Sequence, residues 1–163
     1  MANSSKEKLR VVDLFSGCGG ISLGFSLAAH DLNYNLDVRL AVDVDQQAIG
    51  CFKDNFNPDL AFHDDVASLF ENGFSQKKLS ATEKKIKSQV GDVDVLVGGP
   101  PCQGHSDLNN YTRRSDPKNE LMSVMVRAAF VLKPKAVVIE NVVGALNDKQ
   151  KGMRHYFVAQ SCG

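Results

Sequence analysis

The chain has 163 residues, carries 19 Lys and Arg against 19 Asp and Glu, and is 43% hydrophobic, with 13 Gly, 5 Pro and no Trp. This composition disfavours a disordered, collagen-like or coiled-coil chain, and the length favours one globular domain over residues 1–163. A formal net charge of zero gives no long-range attraction to polyanions, which disfavours a stand-alone, non-specific nucleic-acid binder.

Two further features bear on the cellular compartment. No apolar run approaches the roughly 18–20 residues that span a bilayer, and the polar segment 1–10 leads directly into a strand, so we expect neither a membrane span nor a signal peptide. The four cysteines, Cys18, Cys51, Cys102 and Cys162, form no CxxC pair and have no His at zinc-ligand spacing. We therefore expect reduced thiols, no metal site and a location inside the cell.

The first half of the chain predicts two units of a strand followed by a helix. Residues 10–15 form a β-branched run that ends in the glycine-rich turn 16–20, and apolar residues at helical spacing begin at Ile21. Residues 37–43 predict the second strand, and residues 45–56 the second helix. Helical periodicity places the following residues on one face of that helix: Ala48, Cys51, Phe52 and Asn55.

The second half of the chain predicts three more strands and two helices. The strands are expected at 60–63, 92–98 and 135–140, and the helices at 81–90 and 119–132. Residues 67–91 are polar and rich in lysine, so this segment is predicted to be peripheral. Residues 99–118 carry three of the five prolines and a polar run, which predicts an extended loop.

Five strands alternating with helices predict a Rossmann-like α/β fold, a mostly parallel sheet with flanking helices and right-handed crossovers. In such a sheet, ligands bind beyond the carboxyl ends of the strands. Residues able to bind or react follow all five predicted ends: the turn 16–20, Asp43, Asp65, Pro100-Pro101-Cys102, and Glu140-Asn141. The pattern therefore predicts a site along this edge of the sheet.

Four side chains at this edge have both a functional and an ordinary interpretation. Asp43 is placed to accept hydrogen bonds from ribose hydroxyls, or is a solvated carboxylate at a strand end. Asp65 either bonds an exocyclic amine or caps a helix. Cys102 is rigidly presented for nucleophilic attack, although most lone cysteines are small core residues. Glu140 closes an apolar strand, which predicts a partly desolvated carboxyl group with a raised pKa, or a salt bridge.

Four motifs resemble, in chain order, those of the cytosine-5 DNA methyltransferases. They are DLFSGCGG at 13–20, an acidic residue at Asp43, GGPPCQG at 98–104 and ENV at 140–142. The resemblance covers about residues 9–147 and corresponds to the N-terminal catalytic part of the family. It implies the fold of S-adenosylmethionine-dependent methyltransferases and methyl transfer to carbon 5 of cytosine in duplex DNA.

The resemblance also implies the roles of individual residues. Those implied to hold S-adenosylmethionine are Phe15, Gly17, Cys18, Gly19, Gly20, Asp43, Val44, Asp65, Val66 and Leu121. Those implied to contact the extruded cytosine or the DNA are Pro100, Pro101, Gln103, Ser106, Asn141 and Val142. The Cys102 thiolate would add to carbon 6 of a flipped base, and Glu140 would bond ring nitrogen 3 and the exocyclic amine.

The chain has no counterpart of the family's target-recognition region or C-terminal motifs. We therefore expect either one subunit of a split restriction-modification enzyme, completed by a second polypeptide, or a truncated chain whose residues 148–163 are an incomplete end. The isolated chain is expected to be inactive, and the enzyme to act in the cytoplasm or nucleoid of a prokaryotic cell. Three alternatives stay open: an RNA cytosine methyltransferase, a non-catalytic S-adenosylmethionine-binding module that complements another chain, and a nicotinamide oxidoreductase, which the missing GxGxxG disfavours.

Overall fold

The computed structural model describes residues 6–73, 75–101 and 117–140, and the side chains of the last range from Leu121 onward. The strands within these ranges are β1 (Glu7–Leu14), β2 (Tyr34–Asp43), β3 (Ala61–His63), β4 (Val95–Gly98) and β5 (Ala136–Ile139). The helices are α1 (Gly20–Asp31), α2 (Gln46–Phe56), α3 (Val66–Leu69), α4 (Ala81–Val90) and α5 (Pro117–Leu132). No helix in the described ranges is long and apolar enough to cross a membrane.

The five strands form one sheet in the order β3-β2-β1-β4-β5, and every pairing is parallel. The predicted Rossmann-like α/β fold is therefore confirmed. The chain builds outward from β1 to β3 and then returns to place β4 on the other side of β1, so the strand order reverses between β1 and β4. The carboxyl ends of all five strands lie along one edge, where folds of this kind bind ligands.

The central position of β1 explains why its second half is apolar apart from Asp13. Val11, Val12 and Leu14 have no exposed surface, because β2 and β4 flank the strand and helices cover the sheet. A strand that is buried on both faces carries no polar alternation, which is typical of parallel sheets. Strand β1 begins three residues earlier than predicted and ends one residue earlier, at Leu14 instead of Phe15.

The residues that the sequence places on one face of α2 differ in their burial. Ile49 and Phe52 are buried against β2 and β3, whereas Cys51 and Asn55 are exposed. The side-chain amide of Asn55 donates to the backbone carbonyl of Cys51 over 2.8 Å, as residues one turn apart on the solvent side of a helix can do.

The segment predicted to be peripheral contributes to the core. It contains most of α3, which only the capping interpretation of Asp65 anticipated, and the fully or almost fully buried side chains of Leu69, Phe70, Ile86 and Val90. These buried apolar residues pack with Met125 and its neighbours on α5. The lysines that dominate its composition are exposed or half-buried, on α4 and just before it, so composition alone was misleading.

A buried ion pair fastens this segment to α5. The Arg127 guanidinium donates to both carboxylate oxygens of Glu83, over 2.7 and 2.6 Å, and the two side chains are 1% and 0% exposed. Glu83 also completes a capping box with Ser80 at the start of α4. Arg127 donates further to the carbonyls of Gln76 and Lys78. Through these bonds, Arg127 of α5 holds both α4 and the segment just before it.

Candidate functional site

The glycine-rich turn after β1 has a backbone that only a few residue types adopt. Phe15, Gly17 and Gly19 have φ angles of 58°, 54° and 95°, all in the left-handed region. The turn is held by two backbone bonds, from the Ser16 N–H to the Val42 carbonyl over 3.1 Å and from the Gly19 N–H to the Ser16 carbonyl over 3.0 Å. Left-handed geometry at the non-glycine Phe15 stores strain, which proteins tolerate mainly at functional sites.

The turn is packed on one side and open on the other. A Cβ atom at Gly19 would lie 2.3 Å from Cε2 of Phe56, so the turn rests directly on the aromatic side chains of α2. Cβ atoms at Gly17 and Gly20 would have no atom within 4 Å. The open side is thus a shallow cradle lined by backbone groups, just before α1 begins at Gly20.

Asp43, at the end of β2, is joined to this turn. One carboxylate oxygen accepts from the Gly17 N–H over 2.7 Å, and the other accepts from the Asp45 N–H over 2.9 Å. These two bonds orient the carboxylate across the gap between the ends of β1 and β2. Its remaining lone pairs stay available to a hydroxyl donor. The structure therefore brings Asp43 and the glycine turn together, as the sequence predicted.

The end of β3 adds further acidic residues. Asp65 is the N-cap of α3 and accepts from the Ala67 N–H over 2.9 Å, so its capping interpretation is realised while the carboxylate stays exposed. Asp45 caps α2, and the N–H groups of Ala48 and Gln47 lower the pKa of its carboxyl group. Together with Asp43, these side chains give the edge a negative character, which is complementary to a cationic ligand.

Two apolar residues predicted to contact the cofactor have different surroundings. Val44 is 66% exposed beside Asp43, and its carbonyl is hydrogen-bonded to the His63 ring over 2.9 Å. Val66 is 1% exposed and belongs to the hydrophobic core. Phe15 and Leu121 are both half-buried. Val44 therefore offers accessible apolar surface at this edge, whereas Val66 packs in the core beneath the sheet edge and is closed to a ligand.

The sequence reasoning missed Asp13, one of the most unusual side chains near the site. It is the last residue but one of β1 and has no exposed surface, and its Oδ2 accepts from the Ser22 hydroxyl over 2.6 Å. Burial raises the pKa of its carboxyl group to about 7, and the nearby Asp43 adds to that rise. The available signal was an acidic residue inside an apolar, centrally placed strand, where burial without a partner is costly.

Glu140 follows β5, on the other side of the point between β1 and β4 where the strand order reverses, and its side chain lies beside Gly99. Its N–H donates to the Gly98 carbonyl over 3.0 Å, and Oε2 lies 3.2 Å from the position of a Cβ at Gly99. That position is also 3.9 Å from Cδ1 of Ile21 on α1, so the carboxylate lies near the glycine turn. The described part of the chain leaves Glu140 exposed, which corrects the expected desolvation.

Gly98, at the end of β4, is closely packed between β1 and α5. A Cβ at Gly98 would lie 2.7 Å from the Leu14 carbonyl oxygen and 2.8 Å from Cε of Met125, so only glycine fits between β1 and α5. Pro100 is buried and Pro101 is exposed at the end of the described strand region. The following residues with predicted roles lie outside the described ranges: Cys102, Gln103, Ser106, Asn141 and Val142. Their roles therefore stay predictions.

The residues present fit S-adenosylmethionine. In the described ranges, Asp13 Oδ1 and Ser16 Oγ are buried without a hydrogen-bond partner, and Ser16 lies in the turn itself. The open cradle at Gly17 and Gly20 suits the approach of a ligand to the backbone, and Asp43 is at hand for hydroxyl groups. The acidic edge suits the positive charge of a sulfonium. No cluster of three metal-ligating side chains occurs among the described residues.

Comparison with known proteins places this edge in a family context. A family model for the C-5 cytosine-specific DNA methylases matches residues 9–160. The Type II methyltransferase M1.BsuMI of Bacillus subtilis is 39% identical over 150 residues, which are 92% of this chain and 35% of that protein. The DNA (cytosine-5)-methyltransferase 1 of Gallus gallus is 34% identical over 137 residues, covering 83% of this chain and 8% of that protein.

Solved structures agree with the sequence matches. A prophage-encoded DNA modification methyltransferase from E. coli superposes with a TM-score of 0.63 at 35% identity, over 86% of this chain and 34% of that one. The Dnmt2 methyltransferase of S. pombe gives a TM-score of 0.56 at 25% identity, over 88% of this chain and 37% of that one. The chain thus spans about a third of the length of the bacterial relative and of both solved structures.

Proposed function

Because this chain belongs to the C-5 cytosine-specific DNA methylase family, we propose that it carries the catalytic and cofactor-binding portion of an enzyme that methylates carbon 5 of cytosine in duplex DNA. The observation that carries the proposal is the family match over residues 9–160, which contains both the Cys102 and the Glu140 motifs in order. Named relatives are Type II DNA methyltransferases, which supports a restriction-modification context.

The cofactor end of the site is the glycine turn with Asp43. S-adenosylmethionine supplies an electrophilic methyl group when bound. The cradle at Gly17 to Gly20 would hold its methionine end through backbone groups, with Phe15 beside the adenine. Asp43, already oriented by the Gly17 N–H, would accept from the ribose hydroxyls, with Val44 exposed beside it. Asp65 would accept from the adenine amine.

Cys102 and Glu140 would act from the β4 and β5 side of the sheet, across from the cofactor residues of β1 and β2. The Cys102 thiolate adds to carbon 6 of cytosine, which makes carbon 5 an enamine carbon that can take the methyl group. Glu140, exposed beside Gly99, would bond ring nitrogen 3 and the exocyclic amine and stabilise the adduct. Loss of the carbon 5 proton then expels the thiolate and restores the aromatic ring.

The 163 residues match about a third of the B. subtilis relative, and the proposal assigns base flipping and target recognition to parts outside them. The target base has to be flipped out of the duplex, and the surface that reads the DNA sequence has no counterpart in these residues. We propose that a second polypeptide or a further stretch of chain supplies target recognition and completes the cofactor pocket. The isolated chain is then expected to be inactive on DNA.

Covalent trapping tests the chemistry. The chain is mixed with S-adenosylmethionine, duplex DNA containing 5-fluorocytosine, and the C-terminal two thirds of the B. subtilis relative as a separate polypeptide. Fluorine at carbon 5 cannot leave as a proton does, so the Cys102 adduct persists in denaturing gels. Cys102→Ala is expected to abolish the adduct, whereas Cys162→Ala, a matched control outside the motifs, should retain it.

Trapping, label transfer and the activity of two variants together decide between the open alternatives. An undiminished adduct with Cys102→Ala, or none from a complex that co-elutes and is folded, contradicts the proposal. Label transfer to tRNA in place of duplex DNA would identify an RNA methyltransferase. If Cys102→Ser and Glu140→Gln left an assembled complex fully active, the chain would be a non-catalytic module.

Calorimetric titration of S-adenosylmethionine into the isolated chain tests the cofactor site separately. Saturable binding is expected, weaker than that of the chain with its completed pocket, and Asp43→Ala should weaken it further, because that change removes both the ribose acceptor and the bond that orients Gly17. Asp54→Ala is the matched control, since it removes an exposed carboxylate from α2. Equal affinities of the two variants would contradict the role given to Asp43.

A further inference from the structure

Positive charge is concentrated on one side of a chain whose net charge is zero. Four exposed lysines, which we call the lysine surface, lie just before α4 and on its outer face: Lys77, Lys78, Lys84 and Lys85. The exposed residues of α4 include no acidic side chain, because its acidic residue, Glu83, is buried and paired with Arg127. The balanced overall charge therefore conceals a local basic surface.

The ammonium groups of the lysine surface have no acidic partner among the described residues. None of the ion pairs found there includes them, whereas Lys8 and Lys135 pair with aspartates over 3.2 and 2.8 Å. Besides the paired Glu83, the only acidic residue in segment 71–90 is Glu71. The surface thus keeps a net positive charge, which attracts a polyanion.

Buried contacts hold the backbone that carries the lysine surface. Arg127 of α5 donates to the carbonyls of Gln76 and Lys78, the latter over 2.9 Å. The side-chain amide of Asn72 donates to the same Lys78 carbonyl over 3.2 Å. A capping box then fixes the start of α4. A ligand of this surface therefore has to order lysine side chains but not the backbone beneath them, which lowers the entropy cost of binding.

The lysine surface lies close to the level at which the chain leaves β4 for Cys102. Met125 of α5 packs on Gly98, the last residue of β4, since a Cβ there would lie 2.8 Å from its Cε. Arg127, which holds the Lys78 carbonyl, is two residues further along α5, or about 3 Å along the helix axis. The surface is therefore near the place to which the proposed function brings the target base.

The other part of the same sheet edge disfavours phosphate. Asp45, Asp64 and Asp65 are exposed at the ends of β2 and β3, and their charge repels a polyanion. Phosphate contacts are thus expected on the lysine surface instead. Three extended residues and one helical turn separate Lys78 from Lys84, which places their Cα atoms at most about 15 Å apart. A length of about 15 Å of B-DNA carries about nine phosphate charges.

We propose that the lysine surface binds the phosphate backbone of duplex DNA beside the target base without reading its sequence. Each ammonium group replaces counterions condensed on the phosphates, so the affinity falls as salt is added. Such contacts position a protein on the duplex and leave base recognition to other parts. The choice of duplex DNA as the polyanion rests on the proposed function.

Fluorescence anisotropy of a labelled duplex, titrated with the full chain at several salt concentrations, tests the proposal. Four phosphate contacts predict a slope of about −3.6 for the logarithm of the binding constant against that of the salt concentration. The surface pair, Lys84→Gln with Lys85→Gln, should reduce this slope by about 2 and weaken binding at least about tenfold at about 50 mM salt. Two duplexes of unrelated sequence should lose affinity equally.

A control pair removes the same charge elsewhere. Lys53→Gln with Lys133→Gln changes two exposed lysines of α2 and of the residue after α5. This pair should leave the slope unchanged, and both pairs should keep the native melting temperature because all four side chains are exposed. Acetylation of the native chain, read by mass spectrometry, should show DNA protecting the lysine surface but not Lys53 or Lys133.

Four results would overturn the proposal: no salt-dependent binding by the native chain, equal losses in the two pairs, a loss confined to one duplex sequence, or equal protection of all lysines. A surface pair that kept its DNA affinity but no longer co-eluted with the C-terminal polypeptide of the B. subtilis relative would identify an acidic protein as the ligand. The trapping assay separates this proposal from the proposed function. A changed salt slope without any Cys102 adduct would contradict the function and leave the DNA surface standing, whereas normal trapping with an unchanged slope would do the reverse.

Discussion

The buried carboxyl group of Asp13 makes the stability of this chain fall as the pH rises. Its pKa is about 7 in the folded chain against an ordinary value of 3.8, because burial disfavours the charged form. Between these two values the unfolded chain releases a proton that the folded chain keeps. The free energy of unfolding therefore decreases as the pH increases through this window, and levels off above the folded pKa.

The size of the effect follows from the same two values. A difference of 7 against 3.8 corresponds to about 4 kcal/mol over the whole window, at about 1.36 kcal/mol per pH unit. About 2.5 kcal/mol of this is expected between pH 5 and pH 8, since part of the loss occurs below pH 5. Replacing Asp13 by Asn removes the titration while keeping the shape and an oxygen that accepts from Ser22.

Urea denaturation followed by circular dichroism measures the effect at several pH values for both proteins. The quantity of interest is the free energy of unfolding of the native chain minus that of Asp13→Asn, because other groups titrate in both and cancel. This difference should fall by about 2.5 kcal/mol from pH 5 to pH 8. Ser22→Ala should enlarge the fall in the free energy of unfolding, since the Ser22 hydroxyl holds the pKa of Asp13 down. Parallel pH curves for the native chain and Asp13→Asn would refute the reasoning.

Two further predictions concern packing. Arg127→Met should lower the free energy of unfolding by about 3–5 kcal/mol, because Glu83 would be left buried and unpaired, and adding Glu83→Gln should recover part of the loss in urea denaturation. Strictly additive effects of the two changes would argue against the pairing. Gly19→Ala should lower the melting temperature, since its Cβ would lie 2.3 Å from Phe56 at a φ of 95°. Gly24→Ala, with open space inside α1, should instead stabilise by up to about 1 kcal/mol, and equal shifts would contradict the packing.

Much of the fold was accessible from local patterns. The strands at 37–43, 92–98 and 135–140 and the helices at 81–90 and 119–132 were all predicted, with ends that shift by up to three residues. Such patterns work because a buried parallel strand has to be an apolar run and a surface helix has to repeat every 3.6 residues. The family resemblance, resting on the ordered motifs, was confirmed by the match over 9–160.

The errors arose where burial depends on distant parts of the chain. Segment 67–91 was judged by its lysines, yet Phe70 and Ile86 are buried because α5 covers them. Glu83, in the same segment, is buried because Arg127, 44 residues away, pairs with it. The face of α2 was set by its contacts with β2 and β3, which the periodicity of one short helix does not specify.

By itself, the sequence determined the α/β alternation, the order of the motifs and the edge at which they meet, since each of these depends on residues close together in the chain. The tertiary structure alone decided that the Asp43 carboxylate accepts from the Gly17 N–H, that Asp13 is buried, and that Glu83 pairs with Arg127. These pairings arise from strand order and from the way each crossover packs helix against sheet. No local periodicity encodes them, because they join residues that the chain separates by whole elements.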